Sequence, residues 1–159
     1  MNKNELPCVA IRMVEMPPLI SNEEMKTPGD AAHVVCRYLE GMDRECFCVV
    51  NLQSDARPIN MNIVSVGTLS CSLVHPREVF KSAILANAAS VILFHNHPSG
   101  RLEPSEEDLE ITRRLLQAGT LLGIPVEDHI IAGKSGDYFS FREQGIFPED
   151  TQVLHIAAE

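Results

Sequence analysis

The sequence predicts an α/β fold in which helices flank a mixed sheet, as a two-layer or a three-layer sandwich. The first observation behind this prediction is that helical and strand patterns interleave along the chain. The second is composition: hydrophobic residues make up 45% and charged residues 22% of the 159 residues, as in ordinary globular domains. We expect one folded domain at residues 28–147, between an N-terminal extension, residues 1–27, and a C-terminal tail, residues 148–159.

The first elements are a short strand and a helix. Apolar residues predict a strand from Cys8 to Val14. Thr27 is a favourable N-cap, and Pro28 suits the first helical position. We expect this helix to run to about Leu39 and to end at Gly41.

A β-hairpin is predicted next. Residues Cys46–Leu52 read as one strand, residues 54–57 as a turn, and Ile59–Val66 as a second, antiparallel strand. The segment Gly67–Val74 has no clear pattern.

A helix and a central strand follow the hairpin. His75 and Pro76 predict a helix start, and the helical pattern continues to about Asn87. Residues Ser90–His95 are almost wholly apolar before the final histidine. Such a run is typical of a strand buried on both faces, so we expect it at the centre of the sheet.

The last elements are a longer helix, a strand and a closing segment. Pro104 and Ser105 open the helix, which should end at residues 123–125. Its buried face is predicted to contain Leu109, Thr112, Leu115, Leu116 and Gly119. Val126–Ala132 reads as a strand, and Tyr138–Phe147 as a closing segment with a helical turn.

Charge and hydropathy exclude several classes of function. The chain has 13 basic and 22 acidic residues, for a net charge of -9, and Arg113–Arg114 is its single adjacent basic pair. This balance disfavours direct binding of nucleic acid, which depends largely on attraction to phosphates. No apolar run approaches the roughly 20 residues of a membrane helix. We therefore predict a protein that binds neither nucleic acid nor membrane.

Cysteine usage favours a reduced compartment. The number of cysteines is odd and no CxxC pair occurs; they are Cys8, Cys36, Cys46, Cys48 and Cys71. Cys46 and Cys48 alternate on a predicted strand, so packing in the sheet is favoured over a C-x-C metal site. The N-terminal apolar stretch is short and contains Arg12, unlike a secretory signal. These features predict a cytoplasmic protein.

The residues that predict chemistry follow the central strand. His95 and His97 are two positions apart, so period two places both imidazoles on one face. Asp108 lies in the first turn of the next helix, where a short loop can bring it back to the histidines. Two histidines, one carboxylate and an open fourth position are the donor set of a hydrolytic zinc ion.

Each part of this set also has a purely structural interpretation. Ser105 and Asp108 have the spacing of a helix cap, which alone is the commoner explanation. His95 and His97 alone are as readily polar residues at a strand end. The complete spacing H-x-H-x7-S-x2-D favours a metal site.

That spacing resembles the JAMM motif of the JAB/MPN+ metallopeptidases. The longer stretches HNHPSG and PSEED, with HPREVF before them and LLGIPVEDHIIAG after them, resemble the RadC branch over about residues 27–147. The resemblance implies a JAB/MPN fold, a sandwich similar to that of cytidine deaminases. Residues 1–27 do not resemble the N-terminal helix-hairpin-helix-like domain of full-length RadC proteins, so the chain is similar to short RadC-like proteins.

The resemblance also implies roles for individual residues. Zn²⁺ would be held by His95, His97 and Asp108, although this donor set suits other divalent ions. Glu45, just before a strand, corresponds to the glutamate that takes a proton from water; Ser105 would stabilise the oxyanion. The implied activity is hydrolysis of a peptide or isopeptide bond in a peptide or protein substrate.

Two other functions remain open at this point. The fold could serve as a non-catalytic binding module, or the protein could be an accessory of DNA repair, as the RadC name implies. His129, on a predicted strand, is interpreted as a satisfied strand histidine rather than as a support for a metal ligand. His75 is interpreted as a helix cap or a loop residue.

Overall fold

A five-stranded sheet with the strand order β2-β1-β3-β4-β5 organises the protein. The computed structural model describes residues 8–18, 28–67 and 74–147. In chain order the elements are α1 (Pro28–Glu40), β1 (Cys46–Leu52), β2 (Pro58–Val66), α2 (Pro76–Leu85), β3 (Ser90–Asn96), α3 (Glu106–Leu122), β4 (Val126–Ala132) and β5 (Tyr138–Ser140). No helix within these described ranges is long and apolar enough to cross a bilayer.

The sheet is mixed, as predicted, and β3 lies at its centre. β1 pairs antiparallel with both β2 and β3, whereas β3 and β4 are parallel, and β4 pairs antiparallel with β5. The parallel connection from β3 to β4 passes through α3, because parallel neighbours require a long crossover. α3 follows β3 after a short loop, so its first turn lies near the end of β3.

Helices cover both faces of the sheet, which makes three layers. On the α1 face, side chains of β1, β3 and β4 pack beneath α1; Cys48, Ile92 and Phe94 are examples. On the α2–α3 face, the alternate positions pack against α2 and α3; Val49 and Leu93 are examples. Both faces are apolar because a sheet of this kind is buried on each side.

One irregularity changes which side chains of β4 lie on each face. Val91 pairs with Val126, but the next pair is Ile92 with Asp128, so Glu127 is an extra residue. Such a bulge shifts the alternation by one position. Val126 belongs to the α2–α3 face before the bulge, and His129 faces the same side after it.

Most predicted elements are confirmed within a few residues. The hairpin is antiparallel, and α2 is capped by the His75 side chain, which accepts a hydrogen bond from the Arg77 backbone N–H at 3.3 Å. α2 ends at Leu85, two residues before the predicted end. Residues 138–147 form the short strand β5 followed by turns. The predicted cap at Thr27 and the tail from residue 148 lie outside the described residues.

Two predictions are wrong. Residues Cys8–Val14 form no strand and are all exposed, because apolar residues alone do not make a strand without a partner for the backbone. Leu109 is 37% exposed, so it does not belong to the buried face of α3. Asp108 takes a buried position in that turn instead, because the helix directs its carboxylate toward the histidines.

Candidate metal site

The two histidines of the motif meet at the end of β3. His95 is the sixth residue of the strand and is fully buried, whereas His97 follows the strand and its side chain is 16% exposed. Their Nε2 atoms are 3.0 Å apart. Period two along the strand therefore brings both imidazoles to one point, as the sequence predicted.

Asp108 reaches the same point from the first turn of α3. Its Oδ1 atom lies 3.1 Å from Nε2 of His95, and its Oδ2 atom 3.2 Å from Nε2 of His97. The ligand atoms of the three residues lie within 4.8 Å of one another. The structure thus brings together the three residues that the sequence proposed as metal ligands.

A capping box at the start of α3 orients the carboxylate. The Ser105 hydroxyl accepts a hydrogen bond from the Asp108 backbone N–H at 3.1 Å and donates one to Oδ2 at 2.7 Å. The Ser105 backbone N–H also donates to Oδ2, at 2.7 Å. Capping and ligand orientation therefore coexist in this pair. The hydroxyl lies against the carboxylate, and the oxyanion role inferred for Ser105 stays a prediction.

The chemistry of this donor set fits a divalent metal. Nδ1 of His97 faces the Arg101 carbonyl at 2.8 Å, and a carbonyl can only accept. Nδ1 of a neutral His97 therefore carries the proton, and its Nε2 has a free lone pair directed at the cluster. Two imidazole nitrogens and a carboxylate are suitable ligands for zinc and for several other divalent ions.

The contacts of Asp108 and His97 explain how the pKa of each side chain is shifted. Burial alone would raise the pKa of Asp108, but its contacts with His95, His97 and the Ser105 N–H hold that pKa well below the usual range. The hydrogen bond to Asp108 raises the pKa of His97, against the lowering effect of burial. The carboxylate of Asp108 is thus ionised at neutral pH, as a metal ligand must be.

Glu45, the inferred general base, lies in a segment that is hydrogen-bonded to the end of β3. It is half-buried, directly before β1, and its charge contributes to the raised pKa of His97. The Asn96 side chain forms hydrogen bonds with the backbone on both sides of Glu45. Asn96 Oδ1 accepts from the Cys46 N–H at 2.9 Å, and its Nδ2 donates to the Arg44 carbonyl at 3.0 Å. Asn96 therefore links the Glu45 segment to the strand end that bears the histidines.

Sequence reasoning missed the residues behind His95. His129, interpreted as a strand histidine, is fully buried and its Nε2 atom lies 2.8 Å from Nδ1 of His95. Thr112, predicted on the buried face of α3, lies 2.6 Å from Nδ1 of His129. Strict alternation from Val126 would have placed His129 on the α1 face, so only the bulge in β4 brings it here.

The other candidate ligands pack elsewhere. Cys46 and Cys48 are buried in the core of the α1 face, which confirms the packing interpretation. Burial raises the pKa of the Cys48 thiol to about 12, so it is protonated at neutral pH and unsuited to binding a metal.

A small cavity opens next to the candidate metal site. It has a volume of about 40 Å³ and lies between the end of α1 and the segments that follow β3 and β4. His97 and Asn96 line it from the site, and Leu39, Met42 and Lys134 line it from the opposite side. Of the three candidate ligands, His97 alone lines this cavity.

Comparison with known proteins identifies the family of this chain. A family model described as a RadC-like JAB domain matches residues 25–146. A UPF0758 protein of Rubrobacter xylanophilus is 52% identical over 122 residues, which cover 77% of this chain and 53% of that protein. A UPF0758 protein of Desulfitobacterium hafniense is 46% identical over 135 residues, which cover 85% of this chain and 59% of that protein.

The fold and the sequence similarity agree. A three-layer α/β sandwich with a mixed five-stranded sheet is consistent with a JAB-like fold. The chain spans a little more than half the length of these two curated relatives. By the family match and by these identities, the chain belongs to the RadC-like JAB-domain family.

Proposed function

We propose that the protein is a zinc-dependent hydrolase of peptide or isopeptide bonds. The observation that carries this proposal is the convergence of His95 Nε2, His97 Nε2 and the Asp108 carboxylate, with contacts of 3.0–3.2 Å. These residues would hold the ion. When bound in such a set, zinc lowers the pKa of water toward about 7 and polarises a carbonyl group.

Glu45 is proposed to move the proton in this reaction. A general base must reach the proton that it removes, directly or through one water. Support comes from the position of Glu45 directly before β1 and from its electrostatic effect on His97. In the proposed reaction the Glu45 carboxylate takes the proton of the attacking water and passes it to the leaving amine.

Ser105 is proposed to assist through its hydroxyl. That hydroxyl donates to Asp108 Oδ2 and would have to turn from it to donate to a developing oxyanion. In addition to this role, Ser105 orients the Asp108 carboxylate when the substrate is absent.

The proposed substrate is a peptide or protein and not a nucleic acid. The net charge of -9 and the excess of acidic over basic residues support this choice. A phosphate backbone would be repelled by a chain of this charge.

The first test of the proposal is the zinc content per chain of the purified protein. We expect about one zinc ion per wild-type chain and a loss of that ion in His97→Ala, with the circular dichroism spectrum unchanged. A wild-type protein without metal after incubation with zinc at neutral pH would contradict the proposal. It would favour the non-catalytic binding module.

The second test separates metal binding from catalysis. We expect the zinc-loaded wild type to cut members of a mixed peptide library, detected by mass spectrometry as new termini. Glu45→Gln should retain zinc because it removes no ligand, and it should lose at least 100-fold in cleavage rate, in line with a general base. Equal cleavage by the wild type and Glu45→Gln would contradict the assigned role.

A further inference from the structure

A chain of hydrogen bonds runs from the interior of the α2–α3 face to the candidate metal site. It begins at the backbone carbonyl of Asp108, which contacts the Thr112 hydroxyl. The Thr112 hydroxyl lies 2.6 Å from Nδ1 of His129, and Nε2 of His129 lies 2.8 Å from Nδ1 of His95. The three side chains of this network, those of Thr112, His129 and His95, are fully buried. Neither the motif nor the proposed mechanism includes His129 or Thr112.

The direction of the first hydrogen bond is fixed by chemistry. A carbonyl oxygen can only accept, so the Thr112 hydroxyl donates its single proton to the Asp108 carbonyl. The Thr112 oxygen can then only accept from Nδ1 of His129. His129 therefore carries a proton on Nδ1.

The surroundings of His129 determine the second hydrogen bond. The Phe141 ring stacks on it at a centroid distance of 4.7 Å, and the Phe47 ring lies 5.4 Å away. Each ring nitrogen of His129 has one hydrogen-bond partner, Thr112 at Nδ1 and His95 at Nε2. Neutral His129 has a lone pair on Nε2 and accepts from Nδ1 of His95.

We infer that His129 and Thr112 are positioning residues that keep the proton of His95 on Nδ1, so that the lone pair of its Nε2, which lies 3.1 Å from Asp108 Oδ1, is available to a metal. This inference rests on the proposed function for its purpose, because a ligand needs that lone pair. It differs from the usual arrangement, in which a carboxylate, a backbone carbonyl or a water accepts from the second nitrogen of a metal-binding histidine.

Thr112 offers the cleanest test, because valine has nearly the same shape and lacks the hydroxyl. In Thr112→Val the Nδ1 proton of His129 loses its acceptor. His129 can then adopt the other tautomer and donate from Nε2 to His95, which moves the His95 proton to the metal-binding nitrogen. The matched control is Thr112→Ser, which retains the hydroxyl and should retain the wild-type tautomer.

The first readout is the tautomer of His95 in the zinc-free protein. Long-range ¹⁵N–¹H correlation spectra distinguish the two tautomers. We expect the Nδ1–H form in the wild type and Thr112→Ser, and a shift toward the Nε2–H form in Thr112→Val. A wild-type His95 protonated on Nε2 would overturn the inference. This readout needs no metal, so it decides the inference even if zinc does not bind.

The second readout is zinc affinity, measured by competition with a chromophoric chelator. We expect Thr112→Val to bind zinc about 10–100-fold more weakly than the wild type, as for other residues that support a metal ligand. Thr112→Ser should stay within about threefold of the wild type. Equal affinity of all three proteins would overturn the inference, whereas failure of the wild type to bind zinc would contradict the proposed function instead.

Discussion

The two faces of the sheet are built from the same strands and differ in what lies at the end of β3. On the α1 face, Ile92 and Phe94 are followed by Asn96, whose side chain binds backbone groups. On the α2–α3 face, Val91 and Leu93 are followed by His95, which continues into the metal-site cluster. Because side chains alternate along β3, the adjacent residues His95 and Asn96 lie on opposite faces and form different contacts.

The two faces also differ in the polar side chains that they bury. The α1 face is an apolar core with three thiols, Cys36, Cys46 and Cys48, in its interior. The α2–α3 face buries His95, His129 and Thr112 in contact with one another. Burial of unpaired polar groups is unfavourable, so this face is stable because each of these side chains has a partner.

The largest effect that would test this contrast is the loss of a buried ring from the α1 face. Phe94 is fully buried there, so Phe94→Ala should lower the free energy of unfolding by about 3–5 kcal/mol. Zinc stoichiometry at saturation should not change, because no ligand belongs to this face. Urea unfolding and zinc analysis of the same preparation measure both quantities. A variant with unchanged stability but no zinc would contradict the separation of the faces.

A smaller effect is expected where the α1 face meets the site. Asn96→Ala leaves the buried Cys46 N–H and the Arg44 carbonyl without their partner, which should cost about 1–3 kcal/mol in the free energy of unfolding. Hydrogen exchange of the Cys46 amide should become faster. The control is Asn62→Ala on β2, an exposed position where the change should stay within about 0.5 kcal/mol.

Asn96 provides a sharper comparison if both variants are measured for exchange at the same amide. Loss of protection at Cys46 in Asn96→Ala but not in Asn62→Ala would support the role of Asn96 beside Glu45. Equal protection in both variants would show that the sheet alone holds this segment.

The smallest expected effect concerns the thiols of the α1 face and pH. Burial raises the pKa of Cys36 to about 11 and that of Cys48 to about 12, against 9.0 for an accessible thiol. The native state therefore keeps these protons while the unfolded chain loses them. Their contribution to stability is constant below pH 9 and falls as the pH rises from 9 toward 12.

The test of this pH dependence is a series of unfolding curves between pH 8 and pH 11. We expect the loss of stability per pH unit above pH 9 to be smaller in Cys48→Ala than in the wild type. Parallel curves for the two proteins throughout this range would contradict burial as the cause of the raised pKa.

Much of the site could be predicted because its determinants are local in the chain. Period two fixes the common face of His95 and His97, and the cap formed by Ser105 and Asp108 follows from a four-residue pattern. The helix start at His75 is local for the same reason. Leu109 was misplaced because the same helical period fits several rotations of α3, and only the contact of Asp108 with the histidines selects one.

By itself, then, the sequence determined the α/β class, the order of the elements and the identity of the three candidate ligands. Only the tertiary structure decided that His129 lies behind His95 and that Asn96 holds the segment of Glu45. The physical reason is register. Asn96 and Cys46 are 50 residues apart, and His129 faces the site only because one extra residue in β4 shifts its alternation. Contacts of this kind depend on how strands pair, which no local pattern encodes.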